Sequence, residues 1–320
     1  MESPTFNENG YCAIGRGEDR CLLTEEIKTL VETVNKLSPI NEPRIKGEVS
    51  ADQLLSFLLR ETNCSTEECM ICELVRRAKD TPYESTVELI KEIAFKPEGP
   101  YDLSAFLDNF LLTRIGFQIQ YNYEGVRFGG VLSYDFMVPP TTSIYGSPRE
   151  VWESYSSLKG TNEEWDRLQF ILNTDHRMGY GEHWVALVVS VWEGIIQYYD
   201  SYGDPPITGW IQSTRPYPGI TDEKGRYISR LWEWIEAVQA EFIQRGIPLR
   251  FVYNEYQQQS STDKVSCGVY SILSLILNAN RVSFESANRR KITRADIERV
   301  RPSLYKRIHN YVARYPEVFE

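Results

Sequence analysis

Three side chains of this sequence have the types and positions needed to break an acyl bond. Cys267 stands in "DKVSCGVYSILSL" (263–275), where a polar loop gives way to an almost unbroken apolar run. A core cysteine is a small apolar residue. At the first turn of a buried helix its chemistry changes, because the helix N-terminus favours a thiolate. Such a nucleophile needs a base to hold it and to protonate a leaving amine, and the base needs a partner that fixes its tautomer. The chain has three histidines, His176, His183 and His309. His183 stands where a loop enters the strand-like run "HWVALVVSVW", and Asp200 closes the next such run, "GIIQYYD". Glu193-Gly194 between them predicts a hairpin, in which the start of one strand lies near the end of its partner. Asp200 is therefore expected within carboxylate–imidazole reach of His183. Each residue also has a plainer use, as structural histidine, turn aspartate or core thiol. All three sit at the ends of elements, where functional side chains are held on rigid structure.

The elements that must position them fall into two textures. Over the first hundred or so residues the pattern is helical. "LTEEIKTLVETVNKL" (23–37) sets Leu23, Ile27, Leu30, Val31 and Val34 on one stripe, and "SADQLLSFLLRET" (50–62) opens with Ser50 as a cap. "STVELIKEIAF" and "LSAFLDNFLLTRI" (103–115) continue it, with Pro- and Gly-rich breaks at 95–102 and 137–150. After about residue 166 the runs "RLQFILNTD", "HWVALVVSVW", "GIIQYYDSYG" and "PLRFVYN" predict strands. A helix is expected over 226–246, ending at Gly246, followed by the Cys267 helix. The fold class is α+β, with a helical N-terminal domain over 1–120 and a catalytic-type domain over 121–320.

Composition narrows the function classes. Hydrophobic residues make up 42% and charged ones 25%, as in ordinary soluble globular chains. A net charge of −10 argues against general nucleic-acid binding, and the basic stretch "NRRKITRADIERVRP" (288–302) reads as the exposed face of a helix. No apolar run approaches the roughly 20 residues that span a bilayer. The polar, acidic amino terminus resembles neither a signal nor a transit peptide. Six cysteines in a chain of this length do not require a disulfide framework, so reduced thiols in an intracellular setting are expected.

"HWVALVV", "YYDSYG" and "QQQSSTDKVSCGVYS" together resemble the signature of the adenovirus-protease and ubiquitin-like-protein-protease superfamily of cysteine peptidases. The likeness covers roughly residues 165–280. Within it, "LQFILNTD", "GEHWVA", "YYDSYGDPP", "DRCLLTEEI" and "CSTEECMI" are most similar to the core-polyprotein proteases of large cytoplasmic DNA viruses, of the African swine fever virus type. The resemblance implies a papain-like core, with His183 as general base, Asp200 as its orienting partner and Cys267 as nucleophile. Trp184 would wall a narrow cleft that admits glycine just before the scissile bond. The family glutamine of the oxyanion hole usually lies about six residues before the cysteine, where this chain has Ser261. Gln259, eight before, would take the role through a longer loop, with Gln258 in reserve.

The implied function is endopeptidase cleavage of viral core or structural precursors at glycine-containing sites during particle maturation, in the host cytoplasm and the virion. Two alternatives stand beside it: removal of ubiquitin-like modifiers, and a non-catalytic virion or binding protein that keeps the fold. The partner is a protein substrate, with no cofactor and no membrane. "CSTEECMIC" offers Cys64, Cys69 and Cys72, but structural zinc takes four ligands and only three are grouped, so no metal is expected. Gly-Gly-Val at 129–131 reads as a turn or bulge, with self-processing as a remote use.

Overall fold

Helical periodicity shapes the first part of the chain in the computed structural model, which describes residues 10–17, 20–37, 49–102, 105–137, 145–289 and 291–308. Four helices come first: α1 (Thr24–Leu37), α2 (Ala51–Thr62), α3 (Glu67–Ala78) and α4 (Glu84–Ala94). Ser50 and Gln53 close a capping box on α2, and Thr66 caps α3. The apolar stripe of α1 meets Leu54, Phe57, Leu58, Met70, Ile71, Leu74, Val87 and Ile90 in one cluster.

That cluster corrects the expectation of six reduced thiols. Cys12 is bonded to Cys21, and Cys64 to Cys69. Cys12 is held by its bridge to Phe95, and Cys21 by its N–H donating to Glu67 Oε2 at 2.8 Å, so packing brings the first pair together. Cys64 and Cys69 flank the turn that Thr66 caps. The Cys64, Cys69, Cys72 spacing thus makes a disulfide and one exposed thiol, Cys72.

The rest of the chain runs β1 (Glu98–Pro100), α5 (Asn109–Asn122), β2 (Val126–Ser133), α6 (Pro148–Leu158), β3 (Arg167–Asn173), β4 (Trp184–Ser190), β5 (Ile195–Tyr199), β6 (Gly209–Gln212), β7 (Arg226–Ser229), α7 (Leu231–Gln244), β8 (Arg250–Tyr253), α8 (Cys267–Ala279), α9 (Phe284–Asn288), α10 (Arg294–Leu304) and β9 (Lys306–Ile308). A mixed five-stranded sheet has the order β2-β3-β4-β5-β8, antiparallel at β3–β4 and β4–β5 and parallel at both ends. Its strands read as continuous apolar runs because both faces are covered. Ala186 and Val188 pack with α5 and α8, whereas Val185, Leu187 and Val189 pack with α6 and α7. The fold is α+β, as expected. Position 120 lies inside α5, whose buried residues Leu111, Leu112, Ile115 and Ile119 belong to the α8 cluster.

Three local expectations shift. The helix expected over 226–246 begins only at Leu231, because Arg226–Ser229 pairs with β6 and Arg226 is tied to Asp222. The helix expected over 103–115 begins at Asn109, where Asp108 Oδ1 accepts the Leu111 N–H at 2.7 Å; residues 103–104 lie outside the described residues. Gly129 sits at a register shift within β2, where a Cβ would come 2.1 Å from the Phe170 ring. It is a bulge. Among the described residues no helix is long and apolar enough to cross a membrane.

Candidate active site

The β4–β5 pair does what its sequence predicts. Ala186 lies opposite Tyr199, so the residue before β4 and the residue after β5 meet at one sheet end. His183 Nε2 lies 2.8 Å from Asp200 Oδ1. The other ring nitrogen, Nδ1, is left for Cys267, which lies close enough to act on the imidazole pKa. Tyr202 stacks on the His183 ring at 4.8 Å between centroids. Burial pulls the imidazole pKa down, but Asp200 and Cys267 outweigh it and push the value up to about 9. The raised pKa favours the imidazolium form of the ring beside the Asp200 carboxylate.

Asp200 is itself held on three sides. Its Oδ1 also accepts the Tyr202 N–H at 2.7 Å. Its backbone N–H donates to Asn254 Oδ1 at 2.8 Å, and the Asn254 amide donates back to the Asp200 carbonyl. Asn254 follows β8, the parallel neighbour of β5, and is buried. Sequence reasoning missed both Asn254 and Tyr202. A polar residue ending the apolar run "RFVYN" was the available signal, and it needs the β5–β8 pairing to be read.

Cys267 is the first residue of α8 and is buried. The loop before it is shaped by Asp263, whose Oδ1 accepts the Val265 and Ser266 N–H groups. The first-turn N–H groups of a helix have no intrahelical acceptor, and no partner of the Cys267 N–H is found among the described residues. Trp184 lies over this turn and is fixed by its Nε1 donating to Leu107 O at 2.9 Å. The Cys-Gly pair follows from that closeness, since a Cβ at Gly268 would stand 3.3 Å from both Trp184 and Leu107.

The two glutamines separate. Gln258 Oε1 accepts the Ile292 N–H at 2.7 Å, which turns its amide toward the segment before α10. Gln259 is fully buried, its Oε1 accepting from Ser201 Oγ at 2.6 Å and its Nε2 donating to Asp263 O at 2.6 Å. One amide hydrogen of Gln259 remains beyond that bond. Its backbone N–H donates to Ser201 O at 2.8 Å, so this segment is stitched to the corner directly after Asp200.

Of the other histidines, His176 is buried with Nε2 on Arg215 O and Nδ1 accepting the Met178 N–H. That pattern fixes a neutral tautomer with a structural use, and His309 lies outside the described residues. Cys12, Cys21 and Glu67 bring ligand-type atoms within 4.8 Å of one another, but the two sulfurs are bonded to each other. Beside the His183 group a cavity of about 630 Å³ is lined by Phe106, Phe110, Val131, Tyr180, Glu182 and Trp184, among others.

Comparison with known proteins places the chain in a family and a fold. A model of the Ulp1 protease family, C-terminal catalytic domain, matches residues 148–314, just over half of the chain. A SUMO-1 cysteine protease of African swine fever virus is 25% identical over 272 residues, which cover 79% of this chain and 88% of that protein. The corresponding cysteine protease from a Badajoz strain of that virus matches to the same extent. A crystal structure of the African swine fever virus protease matches with a TM-score of 0.59 at 19% identity, covering 95% of this chain and 98% of that one.

Proposed function

The chain belongs to the Ulp1 protease family and is a cysteine peptidase, and from that premise we propose an endopeptidase with a Cys267, His183, Asp200 triad. Cys267 sulfur attacks the scissile carbonyl, and the oxyanion is held by the Cys267 N–H and the remaining Gln259 amide hydrogen. His183 Nδ1 protonates the departing amine. Water then attacks the thioester with His183 as base, expelling the Cys267 thiolate, releasing the acid and restoring the thiolate–imidazolium pair. Asp200 holds the ring through Nε2 and leaves Nδ1 to work on the sulfur. Trp184 narrows the cleft so that glycine fits before the scissile bond. The observation that carries this reading is the imidazole standing between the Asp200 carboxylate and Cys267 at the start of α8.

The substrates proposed are viral core or structural precursors, cut after Gly-Gly during particle maturation in the host cytoplasm and virion. Residues 1–120 are read as a mainly helical N-terminal domain and 121–320 as the catalytic domain, with α5 crossing that boundary to pack on α8. Labelling with a Gly-Gly-derived electrophile tests the mechanism. The modified thiol should map to Cys267 rather than to the exposed Cys72, and label on Cys72 alone would remove the assignment. Release of a fluorophore from a Gly-Gly-Xaa peptide, set beside release from the C-terminus of a ubiquitin-like modifier, distinguishes precursor processing from deconjugation. The second reading is favoured by the viral relative named a SUMO-1 cysteine protease.

A further inference from the structure

Among the described residues nine aromatic side chains are exposed, and three of them share one helix, α5. α5 turns Leu111, Leu112, Ile115 and Ile119 inward. Its opposite side carries Phe110, Phe117 and Tyr121, each about half exposed. Their spacing of seven and then four residues aligns them on one stripe. Arg114, which shares that stripe, is ion-paired sideways to Glu92, so the row holds no unpaired charge. Phe106, also about half exposed, extends it past the N-cap. A single exposed aromatic is ordinary, but an aligned set covering on the order of 400 Å² matches the largest patch on a typical monomer, which is often functional.

The stripe is continuous with the cleft. Phe106 and Phe110 also line the cavity whose wall includes Glu182 and Trp184, the two neighbours of His183. A chain leaving the cleft on the Trp184 side therefore meets Phe106 and Phe110 first, then Phe117 and Tyr121. From Phe110 to Tyr121 the helix rises about 16 Å, the reach of about five extended residues.

We infer that the α5 stripe is a docking surface for apolar side chains of the polypeptide substrate, upstream of the scissile bond. This rests on Trp184 walling the subsite before that bond. The occupant is the substrate, because the stripe opens into the same cavity that the cleft does. Substrates then carry Leu, Ile, Phe or Tyr some five to ten positions before the cut. The docking contributes to KM and leaves the chemical step alone.

The test uses the full chain with Phe117→Ser/Tyr121→Ser, both away from the cavity. Tyr121→Glu is the companion variant, because Phe117 also touches the Phe128 ring. Each enzyme is given a fluorogenic Gly-Gly-Xaa peptide with four residues before the cut. Each is also given a proteome-derived library of peptides about 25 residues long, with new amino termini labelled and sequenced. On the short peptide, kcat/KM should stay within about twofold of wild type. In the library, the wild type should enrich apolar residues five to ten positions upstream, and both variants should lose that enrichment and cut those peptides about tenfold more slowly through KM. Identical library profiles for all three enzymes would overturn the inference. So would a wild-type dimer in sedimentation that the variants convert to monomer, since the occupant would then be a second copy. If the Gly-Gly peptide is not cut at all, the Gly-Gly reading fails separately, because the upstream profile is read around whatever bond is cleaved.

Discussion

In the proposed mechanism His183 is the residue on which the chemistry turns, because Asp200 holds one of its nitrogens and leaves the other for the sulfur. Replacing Cys267 or His183 by Ala should abolish peptide cleavage, by about 10³-fold or more, since triad members act as a unit; near-wild-type turnover in either variant would remove it from the mechanism. Asp200→Ala should be milder, because Asp200 orients the ring and does not itself transfer the proton. Asn254→Leu removes both hydrogen bonds to the Asp200 backbone, and it should lower kcat more than it raises KM. The raised imidazole pKa gives a pH dependence with a definite sign. Its proton is needed on the ring for the leaving amine, so kcat/KM should fall as pH rises through about 9. Stability follows the same group. Its folded pKa lies above the ordinary 6.5, so the stabilisation is complete below about pH 6.5 and is lost as pH rises through 9. Urea unfolding at pH 6, 8 and 10 should show this decline in wild type and not in His183→Ala. Parallel curves would mean that the ring is not the titrating group.

At the scale of elements, the site is the meeting of a strand pair with one helix, and Gly268 is where they touch. Ala is the better helix former by about 1 kcal/mol, but its Cβ would press on Trp184 and Leu107 at 3.3 Å. Gly268→Ala should therefore leave thermal stability nearly unchanged while kcat/KM falls about tenfold as the Trp184 wall shifts. A large drop in melting temperature with normal kcat/KM would show a packing position only. The same elements explain what the sequence made legible. The β4–β5 hairpin follows from two apolar runs around Glu193-Gly194, and it carries His183 to Asp200 by strand geometry alone. Asn254 stayed hidden because its role depends on β8 lying parallel beside β5, a pairing between segments about fifty residues apart. β7 reads as part of the helix after it because Ile228 fits the helical stripe of Leu231, Trp232 and Ile235. Its pairing to Trp210 on β6 decides otherwise. Tertiary pairing outweighs local periodicity there.

At the scale of the whole molecule, the disulfides and the chemistry belong to different cores. Cys12, Cys21 and Cys64 pack with α1–α4, whereas α8 packs with α5 and the sheet. The cysteine pairs were not legible because nothing in the sequence sets residues 12 and 21 side by side; Phe95 and Glu67 do so from other elements. Thiol reductant that keeps Cys267 active will also open these bridges. Closing the short Cys12–Cys21 loop is worth roughly 2–3 kcal/mol on chain-entropy grounds, so opening it should weaken the helical cluster by that much. Contacts between the cores include Gln118 Nε2 on Glu92 O and Asn122 Nδ2 on Ile93 O. These tie backbone groups and do not depend on the sulfurs. In Cys12→Ser/Cys21→Ser, amides of α1–α3 should therefore exchange about 30-fold faster, the equivalent of about 2 kcal/mol. Amides of α8 and cleavage of the short peptide should stay as in wild type. Equal acceleration in α8 would mean that the two cores open together, and that the bridges also guard the nucleophile.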